Sequence, residues 1–374
     1  MQSVLRSYRS PLSFLLVMVP IGLVLAHQGP EVNPFVVFVV NGLAIVPLAQ
    51  LVSESVERIS EHLGDQWGGC LNATFGNLVE LVIAISALTG GLYEVVLDGL
   101  VGGLVTNLLL VLGTAAVLGG LRYRRMEINS SMSILNAKLL LAVMLVAFVP
   151  SALQHLNMFH SSNHHGRYSV LLSVALLLFY ALSYVYQFFT HGDDFRSAKI
   201  TLPFDLEALE AAEPQRLEKH KGRGLKSSLV VLTLTTVVLV FTSEALVDGL
   251  SGAVARFHLH PFFTGVFLLP LFGSAAEFLI ALRAARRNRL ELAVATTVGS
   301  SIQIVLFVLP VLVLVGTAIG RPLGIFFSPP AMVAVVASVF AVQWVTEDSS
   351  IDWFEGAFLI LVYLLLASSS LFLI

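Results

Sequence analysis

Cysteine is almost missing. Cys70 stands alone among 374 residues, so neither an intrachain disulfide nor a cysteine-based metal site can form. Charge is scarce as well: 12% of residues are Asp, Glu, Lys or Arg, against about 25% in soluble domains. The lysines and arginines sit in short stretches between apolar runs, so the basic face that nucleic-acid binding needs is absent. The net charge of −3 names no partner. The helix-borne His-Glu-x-x-His of a zinc protease does not occur. An intramembrane aspartyl protease needs paired aspartates, yet Asp98 and Asp248, the aspartates in or near predicted spans, fall at helix ends.

What the chain does have is apolar length. It is 56% hydrophobic with a mean hydropathy of +0.87, which no soluble core hides. A membrane span needs about 20 mostly apolar residues. On that basis eleven spans are predicted: 11–27, 34–54, 69–90, 94–119, 132–154, 168–190, 227–252, 261–282, 290–317, 324–346 and 353–373. The first reads as an uncleaved helix rather than a signal peptide, because its apolar run is long and no small-x-small cleavage site follows. The predicted fold is an all-α integral membrane protein. An N-terminal helix (1–30) precedes a five-helix repeat (31–190), a cytoplasmic linker (191–226) and a second, inverted five-helix repeat (227–374). An odd number of spans per repeat turns the second one over, as in many secondary transporters.

Loop charge sets the orientation. Arg6, Arg9, Arg58, Arg122, Arg124, Arg125, the bases of the linker, Arg283, Arg286, Arg287 and Arg289 fall on one side. Only Arg167, Arg256 and Arg321 fall on the other. The N-terminus is therefore expected in the cytoplasm. With no long N-terminal extension, the expected location is a bacterial plasma membrane. In the linker, PFDLEALEAAE suits a short amphipathic helix; a regulatory cation-binding segment and a plain solvated connection both fit its balanced charges.

The most specific feature is a pair of matched stretches. NATFGNLVELVIAI (Asn72–Ile85) and PLFGSAAEFLIAL (Pro270–Leu282) each set a glutamate, Glu80 or Glu277, four residues after a glycine, Gly76 or Gly273. Gly102 and Gly299 then follow their glutamates by the same 22 residues. A carboxylate in lipid costs about 2.5–3.5 kcal/mol even on the lenient insertion scale, so two at matched places imply a buried polar site. Gly76 and Asn77 share a helical face with Glu80, as Gly273 and Ser274 do with Glu277. VGGLVTN adds Asn107, with Thr106 beside it, and VGSSIQI adds Ser300, Ser301 and Gln303. Carboxylate, amide, hydroxyl and freed backbone oxygens make a site for a hard cation. Burial disfavours an ionised carboxyl, so the same pair holds protons when the metal is away. A divalent ion must displace them, which couples the two fluxes in one site.

In these motifs the chain resembles the cation/proton exchangers (calcium/proton antiporters) of the calcium/cation antiporter superfamily. The resemblance spans nearly everything after the first helix, through GGCLNATFGNLVELVIAISAL, TNLLLVLG, TSEALVDGL, FGSAAEFLIALRAARRNRLELAVATTVGSSIQI and DSSIDWFEGA. It implies eleven helices, export of cytosolic calcium in exchange for protons, Glu80 and Glu277 as shared ligands, and Glu54 and Glu244 on the proton or cation route. Ser274 and Phe278 stand where members often carry Asn and His; Gly103 and Leu97 stand for Ser and Gln. These departures leave sodium, potassium or manganese as alternative substrates, and a channel as an alternative mode. The implied partners are the cation, protons and the bilayer, with no nucleic acid and no cofactor beyond transported calcium and protons; a homo-oligomer is compatible. His155, His160, His164 and His165 cluster in one loop that suits solvent or a transition metal. Glu347, Asp348, Asp352 and Glu355 form an acidic turn that reads as surface or as an ion-attracting vestibule.

Overall fold

The computed structural model describes residues 13–28, 32–158, 162–191 and 225–372. Nearly all of them are helical. In chain order the helices are α1 (Ser13–His27), α2 (Pro34–Phe75), α3 (Leu78–Thr89), α4 (Tyr93–Tyr123), α5 (Ser130–His155), α6 (Ser162–Val185) and α7 (Leu225–Phe257). There follow α8 (Pro261–Gly273), α9 (Ala275–Arg286), α10 (Leu290–Ala318), α11 (Pro329–Thr346) and α12 (Trp353–Ser370). Two short strands, β1 (Arg125–Glu127) and β2 (Ser350–Asp352), pair antiparallel. The amphipathic helix expected in the linker lies outside the described residues.

Eight of these helices are long and apolar enough to cross a membrane, or nine if α8 and α9, bent by 62° at their junction, make one span. The expected eleven is reached only by adding two shorter apolar helices, α1 and α3. The expected loop between the second and third spans is instead helical, so α2 runs on to Phe75. Its polar continuation carries the helix-supporting i,i+4 pairs Gln50–Glu54 (2.8 Å) and Glu54–Arg58 (3.9 Å). The tenth span starts later than expected, because residues 321–328 are extended. Their backbone is satisfied by serine hydroxyls: Ile325 N–H donates to Ser169 at 3.1 Å and Phe327 N–H to Ser151 at 2.8 Å.

The chain divides into two compact units that interleave its halves. One is drawn from Met1–Gly90 and Phe204–Leu259, the other from Gly91–Pro203 and His260–Ile374. In the first unit, α2 lies along α7, with α1 on α2 and α3 against both. Gly249 lets the backbones meet: a Cβ there would fall 2.6 Å from the Phe38 nitrogen. Buried Asn41 ties α1 down by donating to the Gly22 carbonyl at 3.3 Å.

The second unit is built around α4, which packs against α8, α10, α11 and α12. At Gly102 a Cβ would meet the Val266 carbonyl and the Pro270 ring at 2.5 Å, and at Gly113 it would meet the Gly356 carbonyl at 2.9 Å. Such close crossings need small residues. The ends of this unit sort as the loop charges require. The β1–β2 pair and the Tyr123 hydroxyl, which donates to the Arg286 carbonyl at 2.9 Å, bring the arginine-rich loops together at one end. His165 packs on Phe326 (ring centroids 4.9 Å) at the other, arginine-poor end, where a Cβ on Gly91 would lie 3.5 Å from Arg321 Nη1.

The acidic turn does structural work at the arginine-rich end. Burial alone would raise the Asp348 carboxyl, but hydrogen bonds from Ser350 and the Arg125 guanidinium hold it below the usual carboxylate range. Asp352 and Glu355 form the capping box of α12.

Two widened π turns, Thr264–Leu268 in α8 and Ile304–Val308 in α10, each end two residues before a proline. Proline lacks an N–H and its ring crowds the carbonyl four residues back. Widening the preceding turn relieves that crowding. A third π turn, Thr106–Val111 in α4, has no proline after it and carries Asn107.

Filling the Gly102 crossing is expected to damage the fold. Gly102→Val in detergent should lower thermal stability on the scale of core overpacking, about 1–3 kcal/mol. Gly166→Ala, where the described residues leave open space, should melt like the parent. Equal melting of the two variants would show that the crossing is not close-packed.

Candidate cation site

Both glutamates sit just past a break in their helix. α2 ends at Phe75 and α3 begins at Leu78, with Asn77 at φ −106°, ψ 30° between them. α8 ends at Gly273 and α9 begins at Ala275, with Ser274 at φ −82°, ψ 15°. Asn77 and Ser274 are separated by the same 197 residues as Glu80 and Glu277. Each is the N-cap of its half-helix without a side-chain cap bond, and each glutamate is the third residue of that half-helix. The first returning backbone bonds match too: Leu81 N–H to Asn77 O and Phe278 N–H to Ser274 O, both 3.0 Å. A helix end leaves its last carbonyls without intrahelical partners. The start of the next helix carries positive dipole, which favours a carboxylate. Each motif therefore places an anionic ligand and backbone oxygen side by side.

In the first unit, Asn77 is buried and both carboxylate oxygens of Glu80 are shielded. Gly76 is half-buried. The α3 helix bearing Glu80 packs against α7, which carries Glu244, and α2, which carries Glu54. Glu244 is exposed; Glu54 is half-buried and engaged by Gln50 and Arg58.

In the second unit, Glu277 is 3% exposed, and Gly273 and Ser274 are buried beside it. Its helix α9 packs on the π turn of α4 and on α10. Asn107 on that turn donates to the Ser300 hydroxyl at 3.2 Å across to α10. Ser301 donates to its own helix at Thr297 O, 2.8 Å, and Gln303 is half-buried. Three buried oxygens here have no hydrogen-bond partner among the described residues: Glu277 Oε2, Ser274 Oγ and Asn107 Oδ1. A buried acceptor without a donor is costly. Three on mutually packed elements suit a ligand that brings positive charge. Among the described residues no group of three or more His, Cys, Asp or Glu could hold a metal, so ligands from this unit would mix one carboxylate with amide, hydroxyl and backbone oxygen.

Comparisons with known proteins give the family. The sodium/calcium exchanger protein family matches residues 33–189 and 227–372. The chain belongs to that family. A Ca(2+)/H(+) antiporter of Aphanothece halophytica is 34% identical over 96% of this chain and 95% of its own length. A Ca(2+)/H(+) antiporter of Synechocystis sp. is 37% identical over 90% and 91%. The solved structure of native YfkE superposes with a TM-score of 0.76 at 29% identity, covering 96% of this chain and all of that one. The family resemblance carried by the glutamate motifs is thus borne out, and the protein is a multi-pass membrane protein.

Some polar positions fall away from the motifs. His155 Nδ1 lies 2.8 Å from its own helix at Ser151 O, and His165 packs on Phe326. His160 and the His164 side chain lie outside the described residues. Asp98, expected at a helix end, lies in the second turn of α4 and is buried there. Its packing against α8 had no signal in composition or period.

The Asn107–Ser300 contact is testable. A double-mutant cycle of Asn107→Ala and Ser300→Ala should give a coupling near the modest values of intramembrane hydrogen bonds, about 0.6 kcal/mol and below about 2. Strict additivity in unfolding titrations would show that the two side chains do not interact.

Proposed function

We propose that the chain is a secondary transporter exchanging cytosolic calcium for protons by alternating access, with Glu80 and Glu277 as carboxylates that calcium and protons share. The observation that carries this reading is the matched pair of helix breaks, each three residues ahead of its glutamate. The named activity of relatives that cover nearly the whole chain supports the choice of ions. An intact helix uses its own carbonyls; a broken one has some to give. Calcium takes six to eight oxygens, which carboxylate, amide, hydroxyl and carbonyl groups supply together. Departing calcium leaves acceptors that protons neutralise, and arriving calcium releases those protons. Exchange follows if the empty, charged site does not reorient.

In this reading Gly76 and Gly273 contribute backbone oxygen, with Asn77, Ser274, Asn107, Ser300, Ser301 and Gln303 as neutral ligands or their supports. Glu54 and Glu244 line the route. The arginine-rich end faces the cytoplasm by the positive-inside rule, in a bacterial plasma membrane. Transport of sodium, potassium or manganese by the same machinery is the competing outcome.

The deciding experiment is calcium flux in proteoliposomes under an imposed pH gradient. Glu80→Gln and Glu277→Gln keep shape and lose charge. Each should cost what losing a buried charge partner costs, about 3–5 kcal/mol or roughly 10²- to nearly 10⁴-fold in affinity. The folded protein should be recovered at normal yield. In the parent, apparent calcium affinity should drop by up to about tenfold per pH unit for each proton displaced. Near-normal transport by either variant would remove that glutamate from the shared site. Calcium uptake indifferent to pH would remove proton exchange.

Phe278 and Gly103 tune the site in this reading. A Cβ on Gly103 would meet only the Ile304 Cδ1 at 3.0 Å, the end of a side chain that can turn away. Phe278→His with Gly103→Ser restores polar groups at two positions where the chain departs from the family pattern. It should tighten apparent calcium affinity roughly fivefold, about one net hydrogen bond, and shift activity toward lower pH. A folded double variant with the parent's affinity and pH profile would show that these positions do not tune the site.

A further inference from the structure

The π turn of α8 leaves one carbonyl stranded. Leu269 N–H bonds to Thr264 O, five residues back, and so bypasses Gly265, its ordinary acceptor four residues back. The next residue is Pro270, which has no N–H. The Gly265 carbonyl therefore receives no helical donor from either residue. Against this turn packs Asp98 of α4: a Cβ on Gly265 would lie 2.6 Å from the Asp98 Cβ, so only glycine fits. Asp98 is 6% exposed. Among the described residues no hydrogen bond or ion pair reaches its carboxyl. A carboxyl that no described donor reaches and a carbonyl that its own helix bypasses thus lie on residues in direct contact, and one hydrogen on the carboxyl would answer both.

The surroundings favour a proton over a metal. On α4 the neighbouring titratable groups are Tyr93 and Glu94, the latter exposed one turn nearer the helix start. The π turn of α8 and Pro270–Gly273 carry no titratable side chain, and neither does α11. His260, preceding α8, uses Nδ1 to accept from Phe262 N–H at 3.1 Å. α10 offers only Glu291, in its first turn. A calcium ion wants six to eight oxygens; one carboxyl and one carbonyl fall far short, whereas a proton needs one donor position and one acceptor. Glu94 and Asp98, four residues apart on one face, lead from the surface inward at the α4 terminus nearest the arginine-poor end.

We propose that Asp98 is a third proton-carrying carboxylate of the exchanger, loaded past Glu94, with the Gly265 carbonyl accepting the hydrogen of its acid form. The proposal rests on the exchange reading above, which places this end outside. The carboxylate gains a proton from outside water, forming one O–H bond, and returns to carboxylate when that proton leaves; no other bond changes.

Asp98→Asn separates this role from a structural one. The amide keeps a donor for the Gly265 carbonyl but cannot titrate. In proteoliposomes of the full chain, with calcium on the arginine-rich side and pH varied on the other, Asp98→Asn should shift the proton midpoint by about one pH unit or more. Calcium affinity on the opposite side should stay within about twofold. Asp98→Glu, which titrates, should move the midpoint back toward the parent's. Infrared difference spectra of the detergent-purified chain supply a readout that needs no transport. A carboxylic-acid band lost on raising pH should be missing in Asp98→Asn and retained in Glu80→Gln and Glu277→Gln. An unchanged midpoint together with an unchanged band in Asp98→Asn overturns the proposal, as does a band that calcium alone abolishes at constant pH. Transport surviving in Glu80→Gln and Glu277→Gln would overturn the exchange reading while leaving the infrared assignment of Asp98 to stand or fall by itself.

Discussion

An oxygen buried in an apolar helix must be answered by a donor or a cation, and most of what is distinctive here follows from that constraint. Helices spend their backbone oxygens on themselves. A chain that is to bind a cation inside such a bundle has to interrupt a helix where a carboxylate can use the interruption. It does so twice, at Asn77 and at Ser274. Elsewhere the same constraint is met with ordinary means. Ser151 and Ser169 hydroxyls take up the N–H groups of the extended segment before α11. Asn41 spends its amide on the Gly22 and Val37 carbonyls. The unanswered oxygens of Glu277, Ser274 and Asn107 differ from other unpartnered ones, such as Asn41 Oδ1, in lying together on packed elements around a helix break.

Close packing is the second half of the design. Lipid tails are as apolar as leucine, so helices associate in a membrane through fit rather than hydrophobic burial. α4 meets α8 through Gly102 and Gly265, and α12 through Gly113 against Gly356. The contacts reach backbone carbonyls at Gly102 and Gly113 and the Asp98 Cβ at Gly265, which leaves no room for a side chain at any of the three. The π turn that carries Asn107 adds one residue to the turn and so resets which face of α4 follows it. That turn lies against α9 and α10, the helices of Glu277 and Ser300.

Much of this was legible in the sequence. Apolar runs located the spans, because a membrane demands length and hydropathy together. The 22-residue glutamate-to-glycine spacing located the repeat, because both copies solve one geometric problem. What escaped was decided by tertiary packing or by backbone hydrogen bonding. The polar stretch after Glu54 looked like a loop because it is not apolar, yet the helix continues through it to Phe75, with the Glu54–Arg58 pair supporting its first turn. Residues 321–328 look apolar enough for a span, yet they run extended because side chains of α5 and α6 answer their backbone. Asp98 looked terminal because the edge of a hydropathy run says nothing about what lies across from it. The π turns have only a faint signature, Leu-Pro following an apolar stretch at Leu269-Pro270 and Leu309-Pro310, which does not distinguish a kink from a widened turn.

The two halves are alike in their glutamate motifs and different in what surrounds them. Glu80 and Glu277, with the caps before them, superimpose in register at an offset of 197 residues. Their surroundings do not. Pro270 corresponds to Ala73, so the proline-driven π turn exists only ahead of Glu277, while the helix ahead of Glu80 runs on without one. Asp98 corresponds to Ala295, so the buried carboxyl beside that turn has no counterpart either. An exchanger built from two equal halves would treat both membrane faces alike. Here the glutamate motifs repeat while the proline, its π turn and the aspartate beside it do not, so the halves differ in the backbone of α8 and the side chain facing it rather than in the paired carboxylates.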